Sequence, residues 1–271
     1  LMDEWMKMAT NVDDLTEEVC IAMVGKYTGL SDSYLSVIKA LNHASFAASR
    51  KLVIEWIEAS NLESEVQESD PDLHSNSWER LRKADGILVP GGFGDRGIEG
   101  KILAAEYARS SSTPFLGICL GLQISIIEFC RNVLGWENAN STEFNDNTPH
   151  PVVIYMPEIS KTHLGGTMRL GSRKTIILDR ECVASKLYNG LEVINERHRH
   201  RYEVNPDFID QIESAGMKFV GKDDTGQRME IIELENHPFF FATQYHPEFK
   251  TRPTRPSPPF YGLLMASSKQ L

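Results

Sequence analysis

Residues Thr113 to Gln123 read TPFLGICLGLQ: an apolar run, a cysteine held between two glycines, and the start of a helical pattern. A strand that ends in Gly-Ile-Cys-Leu-Gly and turns at once into a helix has the shape of a nucleophile elbow. The flanking glycines let a strained backbone pass close to its neighbours. Cys119 then falls at the carboxyl end of a strand, where open α/β sheets keep their sites. The helix behind it presents free amides and the positive end of its dipole, which favour thiolate over thiol. The same residues also fit a small buried cysteine with no chemistry, and from this stretch alone both readings stand.

Upstream, VCIAMVGKY (Val19 to Tyr27) and KLVIEWIEA (Lys51 to Ala59) read as buried strands. Between them Tyr34, Val37, Ile38, Leu41 and Ser45 share one helical face, with Ser31 to Ser33 placed to cap it. The polar segment Asn61 to Asn76 reads as a surface excursion and SWERLRKAD as a short helix. GILV (Gly86 to Val89) is a further strand and Ile98 to Arg109 a further helix. After PFLGI, a helix from Leu120 carries Leu122, Ile126, Phe129, Val133 and Leu134 at helical spacing. Strands alternating with helices predict an α/β fold, an open and mostly parallel sheet flanked by helices. From Pro151 the runs PVVIYM, GTMRLG, KTIIL, KFVGK, MEIIEL and FFFATQY predict an added antiparallel β region. The Pro-rich TRPTRPSPPF reads as extended, and a last helix begins near Tyr261.

With 271 residues and 41% hydrophobic content, the chain has material for one sizeable core. Its formal net charge of −10 argues against a general binder of nucleic acid or of an anionic membrane. Cys20, Cys119, Cys130 and Cys182 form no C-x-x-C pair, so neither a zinc site nor a disulfide framework is expected, and a reducing, cytoplasmic setting fits. The opening LMDEWMKMATNVDDLTEE is acidic and lacks a long apolar core, unlike a signal peptide or membrane span. A start at Leu1 and an end in LLMASSKQL read as a piece of a longer protein.

A cysteine acting in acyl transfer needs a base and a group to orient that base. QYHPEF supplies His246 after an apolar run and Glu248 beyond Pro247, a carboxylate able to accept the second imidazole N–H and fix its tautomer. A plain surface turn fits the same letters. VPGGFGDRG is glycine-rich but has the spacing of neither a P-loop nor a dinucleotide fingerprint. Its amides suit either an oxyanion hole completed by Leu120 or an ordinary strand-to-helix loop. His198 and His200 form an H-x-H, but Arg197, Arg199 and Arg201 alternate with them and repel a cation.

The set PGGFG, GICLGLQ and HPE, in that order, resembles the class I (triad) glutamine amidotransferases. LVPGGFGDRGIEGK, FLGICLGLQ, NSTEF, GGTMRLG, ERHRHRYEVNP, QYHPEF and RPSPP together are similar to the C-terminal glutaminase domain of the CTP synthase family, over residues from about Val19 onward. The resemblance implies a flavodoxin-like sheet and a triad of Cys119, His246 and Glu248. It further implies that Gly92, Phe93 and Leu120 form the oxyanion hole and substrate loop, and that Gln123, Glu143 and Arg201 hold the amino-acid end of L-glutamine. A carboxylate and an amide oxygen suit an α-ammonium, and a guanidinium suits an α-carboxylate.

On that resemblance, residues 1–18 are an interdomain connection and 19–271 the glutaminase domain. This domain needs no cofactor. ATP, Mg²⁺ and UTP belong to an N-terminal amidoligase domain that receives the ammonia, with GTP as activator through a loop resembling GGTMRLG (Gly165 to Gly171). The family's tetramers and filaments imply contacts in the other half, leaving this part a monomer or weak dimer. Other readings are a γ-glutamyl hydrolase, another amidotransferase on the same fold, or a silent regulatory module. NSTEF, GGTMRLG and RHRHRYEVNP weigh against the first two, and the intact triad against the third.

Overall fold

A computed structural model of the chain describes residues 2–26, 31–156 and 168–271. Its first half alternates strand and helix. Helix α1 (Met2–Asp13) precedes β1 (Glu18–Gly25), α2 (Leu35–Ala47), β2 (Lys51–Glu58), α3 (Ser64–Ser69) and α4 (Pro71–Lys83). Next come β3 (Gly86–Val89), α5 (Ile98–Ser111), β4 (Phe115–Ile118) and α6 (Leu120–Asn132). The second half is mostly strands: β5 (Ala139–Ser141), β6 (His150–Tyr155), β7 (Arg169–Ile177), β8 (Val193–His200), β9 (Tyr202–Val204), β10 (Met217–Lys222), β11 (Met229–Leu234) and β12 (Phe240–Thr243). Short helices α7 (Val183–Leu187) and α8 (Ile209–Ser214) interrupt it, and α9 (Pro258–Ser267) closes it.

Among the described residues one nine-stranded sheet runs β2-β1-β3-β4-β12-β11-β10-β7-β8. The first five strands are parallel, and β12 to β8 continue the same sheet in antiparallel pairs. The added β region is therefore an extension of the parallel sheet, plus a small second sheet, β5-β6-β9. Side chains alternate across the strands. Ala22, Val24, Ile87, Val89, Phe115 and Ala242 join the core beneath α4, α5 and α6, whereas Ile21, Met23, Leu88, Leu116, Ile118 and Phe241 join the core beneath α2 and α9. Both faces of these strands are buried, which is why they read as continuous apolar runs.

Four local readings change. Residues 61–76 are not an open excursion. Asp70 accepts from Leu73 N at 3.1 Å and Pro71 sits in the first turn, so α4 starts six residues before SWERLRKAD. The serines before α2 form a short 3₁₀ turn, and no side chain caps the helix at Tyr34. GTMRLG and KTIIL are one strand, β7, whose described part begins at Arg169; Gly165, Gly166 and Thr167, like Tyr27, lie outside the described residues. The opening read as linker-like carries helix α1, with Trp5 and Met6 exposed.

Candidate active site

Cys119 stands between β4 and α6 with φ 54° and ψ −98°, a left-handed conformation that L-residues avoid. The glycines around it permit close approach: a Cβ on Gly121 would fall 2.3 Å from Val89 O, and one on Gly117 2.7 Å from the Gly121 backbone. Helix α6 is thereby seated directly on β3 and β4. Leu122 N and Gln123 N donate to Cys119 O at 3.1 and 3.3 Å. Leu120 N, at the first position of the helix, has no intrahelical acceptor. The strain falls on the cysteine, and the whole turn is over-determined by packing.

The expected partners arrive from adjacent strands. β3, β4 and β12 are neighbours in the sheet, so their carboxyl ends bring Gly91 and Gly92, Cys119, and His246 to one place. Gly91 meets both chemical partners, because a Cβ there would lie 2.7 Å from His246 Cε1 and 3.4 Å from Cys119 Cβ. His246 Nδ1 is 2.8 Å from Glu248 Oε1, and its other nitrogen, Nε2, is buried without a hydrogen-bond partner. Burial opposes a charge on this imidazole, but the charge of the adjacent Cys119, with Glu248 behind, outweighs it and raises the ring up to about 10. The arrangement stabilises an imidazolium beside the sulfur.

The sheet's far end returns to this place. Along the free edge of β8, Asn195 O accepts from Lys250 Nζ at 2.6 Å and Arg197 O accepts from His246 N at 2.8 Å. Arg199 O lies 3.8 Å from Cys119 Sγ. Carbonyls two residues apart point the same way from a strand, so one edge holds the base, the nucleophile and the loop beyond the base in register. β8 alternates exposed Asn195, Arg197 and Arg199 with buried Glu196, His198 and His200. Residues 197–200 of the RHRHR run are thus strand, with exposed Arg197 and Arg199 and buried His198 and His200.

A cleft of about 230 Å³ opens at the cysteine, lined among others by Tyr34, Gly92, Phe93, Arg199 and His246. Phe93 is exposed, its carbonyl accepts from Lys26 Nζ, and the Arg199 guanidinium lies 5.6 Å over its ring. Gly92 sits by Leu120, whose Cδ2 would be 3.5 Å from an added Cβ. Glu143 Oε1 accepts from Gly94 N at 3.4 Å. Burial raises the Glu143 carboxyl, while the Gly94 amide, Arg201 and Lys26 pull it back. Glu143 and Arg201 are therefore electrostatic neighbours beside the 91–94 loop, and Arg201 keeps a buried Nε without a partner. Gln123 is buried, with its amide nitrogen donating to Tyr202 O at 3.0 Å and Gln244 Oε1 at 3.4 Å.

His198 and His200 serve each other. His198 Nδ1 and His200 Nε2 are 3.0 Å apart, and His200 Nδ1 is 3.0 Å from Tyr202 O. Burial, with His200 and Arg169 adding for His198, lowers the pair to about 2 and about 3, so both are neutral. Among the described residues no group of three or more His, Cys, Asp or Glu is arranged to hold a metal ion. No helix among them is long and apolar enough to cross a membrane. Sequence reasoning passed over Gly91, Arg199 and Gln244. Gln244 stands two residues before His246, and its Nε2 is 3.7 Å from Cys119 Sγ; position beside a candidate base was the available signal.

A cysteine on a strand-to-helix elbow, with a His-Glu pair from the neighbouring parallel strand, defines a class. The family description "Glutamine amidotransferase class-I" matches residues 30–266, and the chain belongs to the class-I glutamine amidotransferases. Within that class its branch is the CTP synthase glutaminase domain. The solved "Trypanosoma brucei CTPS - glutaminase domain with bound acivicin" is 36% identical with a TM-score of 0.86, covering 93% of this chain and 95% of that one. Curated relatives include the CTP synthase of Dictyostelium discoideum, 62% identical over 278 residues, and CTP synthase 1 of Homo sapiens, 52% identical over 271. Each alignment covers all of this chain but 48% and 46% of the relative, so the chain spans about half their length. A glutamine amidotransferase from Thermotoga maritima, 12% identical with a TM-score of 0.50, shares the fold.

Proposed function

We propose that this chain hydrolyses L-glutamine to glutamate and ammonia, and that the ammonia serves an N-terminal amidoligase domain making CTP from UTP and ATP. The observation that carries the reading is the Cys119, His246 and Glu248 constellation at adjoining strand ends, with His246 Nδ1 on Glu248 and Nε2 left for the cysteine. The relative with acivicin bound and the half-length match to CTP synthases support it.

In this reading Cys119 Sγ adds to the side-chain carbonyl carbon of glutamine, and the oxygen that gains charge turns toward the amides of Gly92 and Leu120. His246 gives its proton to the amide nitrogen, the C–N bond breaks, ammonia leaves, and a γ-glutamyl thioester remains. His246 then takes a proton from water as the water adds to the thioester, and glutamate departs with the thiolate restored. Glu248 keeps the imidazole oriented. Glu143 and the Gln123 oxygen would meet the α-ammonium, Arg201 the α-carboxylate, and Phe93 the chain between. The Gln123 amide hydrogens are both engaged within the protein, which leaves its oxygen for this role.

Residues 1–18 would connect the two domains, with residues 19–271 as the glutaminase. ATP, Mg²⁺ and UTP would act in the companion domain, with GTP as activator. A cytoplasmic setting and assembly through the other half complete the reading. Mass spectrometry after exposure to a diazo-ketone glutamine analogue tests it. An adduct on Cys119 that glutamine blocks is expected, and labelling elsewhere, or none, would overturn it.

A further inference from the structure

Gln244 is 1% exposed and stands between the sulfur and the buried part of β8 and β9. Which end of its amide faces the sulfur is settled by neighbours. Tyr202 O is a main-chain acceptor, so both groups directed at it must donate: His200 Nδ1 at 3.0 Å and Gln123 Nε2 at 3.0 Å. The same Gln123 nitrogen faces Gln244 Oε1 at 3.4 Å. With its oxygen occupied by that donor, Gln244 turns Nε2 to Cys119 Sγ, at 3.7 Å. The Gln244 main chain is fixed too, its N–H donating to Glu230 O at 2.9 Å. One carbonyl thus sets the polarity of a relay that ends on the reacting atom.

The geometry points to Gln244 as a further catalytic residue, whose side-chain N–H donates to Cys119 Sγ and stabilises the sulfur as an anion. The inference rests on Cys119 being the nucleophile. His246 also stabilises that anion, but it must give up its proton during turnover; a carboxamide never titrates and donates throughout. Its effect is greatest when the sulfur carries full charge, as when the thioester releases its thiolate. Arg199 O, 3.8 Å from the sulfur, accepts only from a thiol, so that contact favours the protonated form and opposes the one from Gln244. A neutral N–H donated to a charged acceptor shifts such an equilibrium roughly tenfold or more.

The test follows alkylation of Cys119 by iodoacetamide as a function of pH, read by peptide mass spectrometry so that Cys20, Cys130 and Cys182 are counted apart. In Gln244→Met, which keeps length and volume without a donor, the pH of half-maximal alkylation is expected to rise by about one unit, the tenfold effect above. The isosteric Gln244→Glu places a carboxylate before the sulfur and is expected to shift it at least as far. A side chain that only fills space gives no such shift. An unmoved midpoint in either folded variant overturns the inference and leaves the nucleophile reading intact. If Cys119 of the unsubstituted chain reacts no faster than the other cysteines, the nucleophile reading fails and the inference with it.

Discussion

His246 and Glu248 are joined Nδ1 to Oε1 at 2.8 Å across a single proline. Pro247 fixes one backbone angle between them, and both side chains are largely buried, so the pair is pre-set before any substrate arrives.

Glu248→Gln removes the negative charge that supports the imidazolium while keeping the shape. Glutaminase turnover is expected to fall by roughly 100-fold or more, the usual share of an oriented acid-base group. Thermal unfolding should be nearly unchanged. Turnover equal to that of the parent would remove Glu248 from the triad.

Gly91 and Gly92, adjacent in the 91–94 loop, separate sterically. Gly91→Ala pushes a methyl within 2.7 Å of His246 Cε1, whereas at Gly92 the nearest atom is 3.5 Å away. Gly91→Ala should therefore lose far more activity than Gly92→Ala, with a stability cost of about 1–3 kcal/mol for overpacking. Steady-state kinetics on both variants decides it, and equal losses would mean that the loop, rather than the ring, yields.

Helix α6, which carries the nucleophile's amides, is tied to α5 by an ion pair whose carboxylate is buried and whose guanidinium is half-buried. Glu128, 0% exposed, accepts from Arg109 Nε at 3.0 and 2.9 Å and from Arg109 Nη2 at 2.7 Å. Arg109→Met would leave that carboxylate with only the Asn132 Nδ2 donor at 3.1 Å, at up to about 3–5 kcal/mol by urea unfolding. Replacing both, Arg109→Met with Glu128→Leu, should recover most of the loss.

Stability toward acid should depend on His198 and His200. Their folded values, about 2 and about 3, lie below the ordinary 6.5, so their contribution is present above about pH 6.5 and is lost as the pH falls through that value. Glu230, raised by burial to about 8, works oppositely: its contribution is present below its ordinary 4.5 and lost as the pH rises toward 8. His200→Asn should therefore flatten the acid limb, by up to about 1.4 kcal/mol per pH unit, in urea titrations between about pH 6 and about pH 4. An unchanged slope would show that His200 is protonated in the folded state.

How far the sequence reached depends on what each segment hides from water. β1, β3, β4 and β12 are buried on both faces and therefore wrote themselves as apolar runs. The elbow was legible because close helix-to-strand approach at Gly117 and Gly121 admits no side chain. β8 was not, because its buried face is Glu196, His198 and His200, so its twofold alternation sets polar against polar. The start of α4 was written in Asp70 and Pro71, but the polar composition of that segment masked it. Gln244 needed three-dimensional knowledge, since its meaning comes from Tyr202 O and Gln123, far away in the chain.

The last strand of an open sheet normally offers its bare carbonyls and amides to any extended chain that drifts past. Here the outer edge of β8 is already taken: Arg197 O by the backbone of His246, Asn195 O by Lys250, with Arg199 O turned to Cys119. The protein thereby guards itself against strand-to-strand association with the same segments that perform its chemistry. A lesion that withdraws the His246 segment from β8 should make the protein both inactive and sticky, and loss of solubility in such variants would report on the catalytic site.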